Sequence, residues 1–151
     1  MEQASTHITQ EDAKWLYINL RKVKFFAELN IRQIDHIINY FDKYTFNPGE
    51  FIIREGKHGK ALFIVYTGKV HVFKKKFLWS HRFLAELGPS SFFGEMSLLN
   101  YSLTTASVKA VEPVSTFVLL REVFMRLLDE NPELEKEVKM ITQKRQIEQE
   151  K

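Results

Sequence analysis

The middle of the chain carries short apolar runs, each a few residues long, with turn signals between them. Glycine- or proline-containing stretches at 47–50, 55–59, 67–69 and 87–91 supply most of these turns. Runs of this length and spacing are typical of antiparallel strands, and they predict seven or eight strands in a sandwich or jelly roll. The predicted strands are Tyr44/Phe46, Phe51–Ile53, Leu62–Tyr66, Val70/Val72, Phe83–Leu87, Ser107–Ala110 and Thr116–Leu119.

Helical periodicity precedes this region. Thr9 with Asp12 predicts one helix N-terminus, and Asn30 with Gln33 predicts another. The second helix has an apolar stripe at helical spacing, which predicts core packing. The stripe consists of Ile31, Ile34, Ile37, Ile38 and Phe41.

Helical periodicity also follows the strands. One helix is predicted around Val123 to Leu128, and Asn131-Pro132 begins a last helix. The last helix is expected to place Leu134, Val138 and Ile141 inward. We therefore predict an α+β fold, an antiparallel jelly roll (double-stranded β-helix) flanked by N-terminal and C-terminal helices. The predicted parts are an N-terminal helical segment 1–43, a β-roll 44–120 and C-terminal helices 121–151.

Composition excludes several kinds of protein. With 151 residues, of which 44% are hydrophobic, the chain can bury one core, and with no cysteine it has neither disulfides nor a thiol nucleophile. The N-terminus has no secretory signal pattern, and no apolar run reaches the roughly 18–20 residues of a membrane span. The net charge of +3 says little about partners. We expect a cytoplasmic protein.

Patterns expected of enzymes and metal sites do not stand out. The five histidines show no His-x-His pair, and no Ser-His-Asp or paired-acid arrangement is evident. We expect no catalytic activity and no cofactor. The basic run 74–76 is expected to be a solvated hairpin edge protected by lysines, with a nucleic-acid patch as the less favoured alternative.

Residues 92–108 interrupt the strand pattern. Phe92-Phe93 is predicted to end a strand, Gly94 to make a turn, and Met96 to Leu99 to form one helical turn before the next strand. A helix start can hold an anion on its backbone N–H groups. The following loop, 100–105, contains no Lys or Arg, so the cation that would complete an anion site is missing from it.

These segments resemble a cyclic-nucleotide-binding domain, as found in bacterial catabolite-activator-type regulators, kinase A regulatory subunits and cyclic-nucleotide-gated channels. The similar stretches are "NPGEFIIREGKHGKALFIVYTGKVHVF", "LGPSSFFGEMSLLNYSLTTASVKA" and "LLREVFMRLLDENPELEKEV". The resemblance covers about residues 24–138. It depends on an ordered series of glycines and on the phosphate cassette, namely Gly49, Gly56, Gly68, Gly88 and Phe93-Gly94-Glu95.

The resemblance implies a role for each cassette residue. Glu95 is expected to accept a hydrogen bond from the ribose 2′-hydroxyl, since a carboxylate repels a phosphate. Backbone N–H groups at Gly94, Met96 and Ser97 are expected near the cyclic phosphate of cAMP or cGMP. The full predicted ligand site is Phe93, Gly94, Glu95, Met96, Ser97, Thr104, Thr105 and Ala106.

The chain departs from the family pattern at one position. The family places an arginine shortly before the strand that follows the cassette, here Ser107–Ala110, to hold the phosphate. The same register in this chain has Thr104. A charge-assisted contact contributes roughly 1.5–3 kcal/mol, so its loss predicts roughly ten- to a hundredfold weaker binding. A cation supplied instead by Arg82 or Lys109 is the less favoured alternative. Guanine-preferring members of the family use a hydroxyl against the purine, and Thr105 keeps that hydroxyl, so the resemblance implies a preference for guanine.

Two functions remain open. The chain is either a regulatory sensor that binds a cyclic nucleotide and signals through its C-terminal helix, or a degenerate domain kept for structure or protein interaction. Expected partners are a cyclic nucleotide and either a downstream effector domain or a second copy in a homodimer. Direct DNA binding is not expected, because no helix-turn-helix follows the last helix.

Overall fold

Nine strands form two antiparallel sheets in the computed structural model, which describes residues 5–150 and the side chains of residues 5–143. One sheet has the order β1-β2-β9-β4-β7, and the other has the order β3-β8-β5-β6. The strands are β1 (Ser5–His7), β2 (Asp42–Phe46), β3 (Phe51–Ile53), β4 (Ala61–Thr67), β5 (Val70–Lys75), β6 (His81–Leu87), β7 (Phe92–Phe93), β8 (Ser107–Ala110) and β9 (Val114–Leu120).

Six helices accompany these strands within the described residues. They are α1 (Gln10–Leu20), α2 (Lys24–Ala27), α3 (Ile31–Ile38), α4 (Met96–Leu99), α5 (Arg121–Glu130) and α6 (Pro132–Glu150). The predicted α+β jelly roll with flanking helices is therefore confirmed. Strand β1, which pairs with β2, was not predicted, because three exposed residues carry no apolar signal.

Alternating side chains from both sheets build the core of the roll. Each strand turns every second residue inward, so a core between two sheets takes one face of each strand. Val65 and Val114 come from the first sheet, whereas Val70, Val108 and Ala110 come from the second. All five are buried. The predicted alternation thus corresponds to a shared interior.

The chain divides into two compact units. The β-unit consists of residues 5–7 and 41–121, and the helical unit consists of residues 8–40 and 122–150. Within the helical unit, Phe25 packs edge-on against Phe26 and Phe124, with ring centroids 4.8 and 5.9 Å apart. The residues predicted to point inward from the last helix, Leu134, Val138 and Ile141, are buried.

Both predicted helix starts in the helical unit are present. Thr9 and Asp12 exchange side-chain and backbone hydrogen bonds at the start of α1, and Asn30 and Gln33 do the same at the start of α3. Each pair satisfies two backbone N–H groups that the helix itself cannot. The predicted stripe on α3 is buried except for Ile31, which is 58% exposed. Ile31 is the first residue of the helix, where the stripe leaves the core.

Candidate functional site

Strand β7 and helix α4 are joined by Gly94, whose backbone conformation only glycine adopts easily. Its φ is +83°, in the left-handed region. A Cβ atom at this position would collide with the carbonyl oxygen of Ala61 on strand β4. The cassette is held against β4 by ladder pairing and by the stacked rings of Phe63 and Phe93, whose centroids are 5.2 Å apart. Close packing on β4 therefore explains the glycine.

Helix α4 begins directly after Glu95, which is half-buried and already helical in its own backbone. The N–H of Met96, at the first position of the helix, has no acceptor within the helix. The N–H of Ser97, which was expected near the cyclic phosphate, donates to the Gly94 carbonyl at 3.0 Å. A ligand would have to compete with that bond. The side chain of Ser97 is buried and fills the space where a Cβ on Gly59 would lie.

Thr104, which takes the place of the family arginine, is hydrogen-bonded through both its side chain and its backbone to the loop that joins β3 to β4. This connection, residues 54–60, is called the 54–60 loop. The Thr104 hydroxyl donates to the Arg54 carbonyl at 2.5 Å and accepts from the Lys57 N–H at 3.1 Å. Its N–H donates to the Lys57 carbonyl at 2.7 Å, and its carbonyl accepts from the Gly56 N–H at 2.9 Å. Thr104 therefore fastens the loop.

The residues after Thr104 continue this attachment. Thr105 is exposed and Ala106 is half-buried. Ser107 is buried, and its hydroxyl accepts a hydrogen bond from the Glu55 N–H at 2.9 Å. The segment 104–107 thus holds the 54–60 loop at two points.

A cavity opens between this loop and the strands of the β-unit, and we call it the roll cavity. Its floor is apolar and partly aromatic, whereas its edge at the 54–60 loop is basic. The basic residues are Arg54, Lys57 and Lys60, and Thr104 also lines the cavity. The floor is formed by Tyr44, Phe46, Phe51, Ile52, Ile53, Ala61, Phe63, Val118 and Leu120.

The structure brings the predicted site residues together only in part. Thr104 lines the roll cavity directly. The cassette is connected to it through its neighbours, because Gly94 meets Ala61 and Phe93 stacks on Phe63. The set of eight residues as a ligand site stays a prediction.

Neither alternative cation lines the roll cavity. Arg82 is exposed on β6, where it pairs in register with Lys74. The Lys109 ammonium lies 5.5 Å from the centre of the Phe51 ring on β3. The basic edge at the 54–60 loop was missed from the sequence. Its signal was the run "REGKHGK", in which three cations accompany two glycines.

The part of the chain that the structure describes offers neither a metal-binding cluster nor a membrane-spanning helix. No group of three or more His, Cys, Asp or Glu residues there could hold a metal ion. No helix there is both long and apolar enough to cross a bilayer.

Comparison with known proteins decides the family. The family profile described as "Cyclic nucleotide-binding domain" matches residues 43–131. The chain belongs to this family. This cyclic nucleotide-binding domain is 36% identical over 107 residues to the "Cyclic AMP receptor protein" of Thermus thermophilus, covering 71% of this chain and 50% of that protein. It spans half or less of the first curated relatives it matches.

Solved structures support the same fold. The N-terminal domain of a transcriptional regulator from Streptomyces coelicolor is 26% identical, with a TM-score of 0.75 and coverage of 87% of this chain and 94% of that one. The regulatory subunit of a cAMP-independent protein kinase A from Trypanosoma cruzi, bound to guanosine, is 27% identical. Its TM-score is 0.64, with coverage of 78% of this chain and 41% of that one.

Proposed function

We propose that this cyclic nucleotide-binding domain is a sensor that binds a purine cyclic mononucleotide, cAMP or cGMP, in the roll cavity. The observation that carries the proposal is the cavity's composition. Its aromatic and aliphatic floor suits a purine base, and the basic edge at Arg54, Lys57 and Lys60 suits a phosphate. Glu95, which is half-buried at the start of α4, would accept the ribose 2′-hydroxyl, as the family resemblance implies.

In this proposal the cations of the 54–60 loop partly replace the family arginine. Thr104 itself brings no charge, and its hydroxyl proton is already donated to the Arg54 carbonyl. Lys57 is adjacent because its backbone bonds to Thr104, and its exposed side chain is a mobile point charge rather than a planar fork. Binding is therefore expected to be roughly ten- to a hundredfold weaker than with an arginine.

A second candidate ligand is a nucleoside without a phosphate. Two observations favour it. The position that would grip the phosphate is neutral and fastened to a loop, and one related structure is a cAMP-independent regulatory subunit bound to guanosine. A nucleoside needs the apolar floor and an acceptor for its ribose, but no cation. Both ligands use the same cavity, so the phosphate is the feature that separates them.

The proposal treats the domain as a regulatory module without catalytic activity, acting in the cytoplasm. Ligand occupancy would be transmitted by α6 to an effector domain or to a second copy of the chain. Such signalling requires that the ligand bind one arrangement of the helix more tightly than the other. If no ligand binds, the domain is a structural or interaction module.

Isothermal titration calorimetry with cAMP, cGMP and guanosine tests the proposal, using the wild type, Lys57→Ala and Thr104→Arg. We expect the wild type to bind a cyclic nucleotide, Lys57→Ala to bind it more weakly, and Thr104→Arg to bind it more tightly. Lys69→Ala, an exposed lysine on the turn between β4 and β5, is the matched control and should have no effect.

The other outcomes are separable. Guanosine binding that is unchanged in Lys57→Ala and tighter than cAMP binding would establish the nucleoside reading. Binding of cyclic nucleotide only by Thr104→Arg would show an intact cavity that has lost its phosphate grip. No binding by any variant would refute the sensor function.

A further inference from the structure

Hydrogen bonds close the tip of the hairpin between β5 and β6. The two strands pair up to Lys75 and His81. Beyond them the Lys76 N–H donates to the Ser80 carbonyl at 2.8 Å, and the Ser80 hydroxyl donates to the Phe77 carbonyl at 3.0 Å. These bonds close the loop around three residues, 77–79, which we call the hairpin tip. The tip thus has a defined conformation of its own.

The hairpin tip exposes three large apolar side chains in succession. Phe77 is 81% exposed, Leu78 is 70% exposed and Trp79 is 91% exposed. Scattered single apolar residues on a surface are ordinary, whereas a contiguous group marks a site of interaction. Phe83 and Leu84, farther down β6, are exposed as well. The contiguous apolar surface is therefore formed by residues 77–79.

Basic side chains surround this apolar tip. Lys74, Lys75 and Lys76 precede it, and Arg82 follows it on the paired strand. Every charged side chain between Glu55 and Glu86 is basic. Both of these acids sit below the tip. Glu55 accepts from the Lys75 N–H at 2.8 Å, and Glu86 lies 3.0 Å from the His71 ring nitrogen.

We propose that the β5–β6 hairpin docks on an anionic phospholipid bilayer, with Phe77, Leu78 and Trp79 inserted at the interface. Tryptophan and phenylalanine place apolar rings at the boundary between headgroups and acyl chains. The lysines and Arg82 would then lie at the level of the negatively charged headgroups, where each contributes to attraction. The tip inserts without spanning, in agreement with the absence of a spanning helix among the described residues.

The order of residues on the hairpin favours a bilayer over a nucleic acid. The apolar residues occupy the tip and the cations lie behind them, so a flat surface meets the apolar group first. A phosphate backbone would instead contact the cations, which lie behind the apolar tip. Basic residues beside an exposed apolar group also complement an anionic surface rather than a neutral one.

Vesicle binding of the full 151-residue chain tests the proposal. Trp15→Phe leaves Trp79 as the only tryptophan, since the chain has two. We expect this variant to co-sediment with vesicles of phosphatidylcholine and phosphatidylserine, but not with phosphatidylcholine alone. The Trp79 emission should shift to shorter wavelength and be quenched by brominated acyl chains. Added salt should weaken binding, because it screens exposed charges.

Two hairpin variants should reduce vesicle binding while thermal unfolding of the chain stays unchanged. Replacing Trp79 by Ser removes the most exposed apolar group of the tip. Replacing residues 74–76 by Ser should weaken binding about a hundredfold, at about fivefold for each basic residue near an anionic surface.

Matched controls lie in the helical unit. Ile18→Ser removes an apolar residue that is 66% exposed, and replacing the exposed Lys14, Lys22 and Lys24 by Ser removes the same charge.

Three results would overturn the proposal. The first is an equal loss of binding in the lysine control, which would show that only net charge matters. The second is an unshifted Trp79 emission on vesicles that do bind. The third is self-association, measured by sedimentation equilibrium, that Trp79→Ser abolishes, combined with a Trp79 emission that vesicles leave unchanged. That result would assign the tip to a second copy of the chain.

Discussion

Replacing Thr104 by valine tests whether this residue serves the fold of the β-unit. Valine keeps the shape and the β-branch of threonine but removes the hydroxyl. The change deletes two hydrogen bonds, the donation to the Arg54 carbonyl at 2.5 Å and the acceptance from the Lys57 N–H at 3.1 Å. The two backbone bonds between Thr104 and residues 56–57 remain. The variant therefore isolates the contribution of the hydroxyl.

The expected loss follows from where the bonds lie. Both are solvent-accessible, so water can replace each partner, and each bond contributes about 0.5–1 kcal/mol at the lower end of the usual range. The free energy of unfolding should fall by about 1–2 kcal/mol. For a chain of this length that corresponds to a melting temperature lower by about 2–8 °C.

Differential scanning calorimetry measures the shift, and Thr105→Val is the matched control. Thr105 is the adjacent residue and is exposed, and its hydroxyl makes no hydrogen bond within the described part of the chain. The control should change stability by less than about 0.5 kcal/mol. Amide hydrogen exchange adds a local readout, because the Lys57 N–H loses its acceptor in Thr104→Val and should exchange faster.

Equal melting temperatures for Thr104→Val and Thr105→Val, together with unchanged exchange at Lys57, would refute the reasoning. Thr104→Arg adds a second check. It also loses the hydroxyl bonds, so it should be less stable than the wild type without ligand. If the new arginine grips a cyclic phosphate, saturating cAMP or cGMP should stabilise this variant more than the wild type.

Three smaller changes test other parts of the structure. Gly94→Ala forces an L-residue into the left-handed region against the Ala61 carbonyl, so urea denaturation should show a loss above about 1 kcal/mol. Ser107→Ala leaves the Glu55 N–H without its acceptor, and thermal unfolding should report a cost of about 1–2 kcal/mol. Asn30→Ala removes the cap of α3, and circular dichroism melts should show a loss of about 1 kcal/mol.

The sequence predicted the elements whose signals are local. The helix starts at Thr9 and Asn30 follow from side chains three residues apart, and both are present. All seven predicted strand segments lie in strands, because alternation and turn residues act within a few positions. The glycine before Glu95 was predicted to make a turn, and its positive φ agrees with that.

The sequence could not predict what depends on distant pairs. Strand β1 forms by pairing with the edge of β2, and its three exposed residues carry no apolar pattern that would predict a strand. The partners of Thr104 are about 50 residues away along the chain, so its fastening role was invisible. The packing of the Ser97 side chain over Gly59 could not be predicted for the same reason, because the two residues are far apart along the chain. Exposure of Phe83 and Leu84 depends on what covers β6 rather than on their alternation.

The 54–60 loop relates the replacement of the family arginine by Thr104 to the binding of the proposed ligand. A large charged side chain at position 104 would have to leave the loop in order to reach into the roll cavity, whereas Thr104 holds the loop through its hydroxyl. Holding the loop also fixes the backbone of Lys57 at the cavity edge. The exchange of arginine for threonine thus removes one cation and positions the backbone that carries another. A sensor built this way should lose ligand affinity in Thr104→Val as well as in Lys57→Ala, and the double variant should lose less than the sum, because the two residues act as one unit.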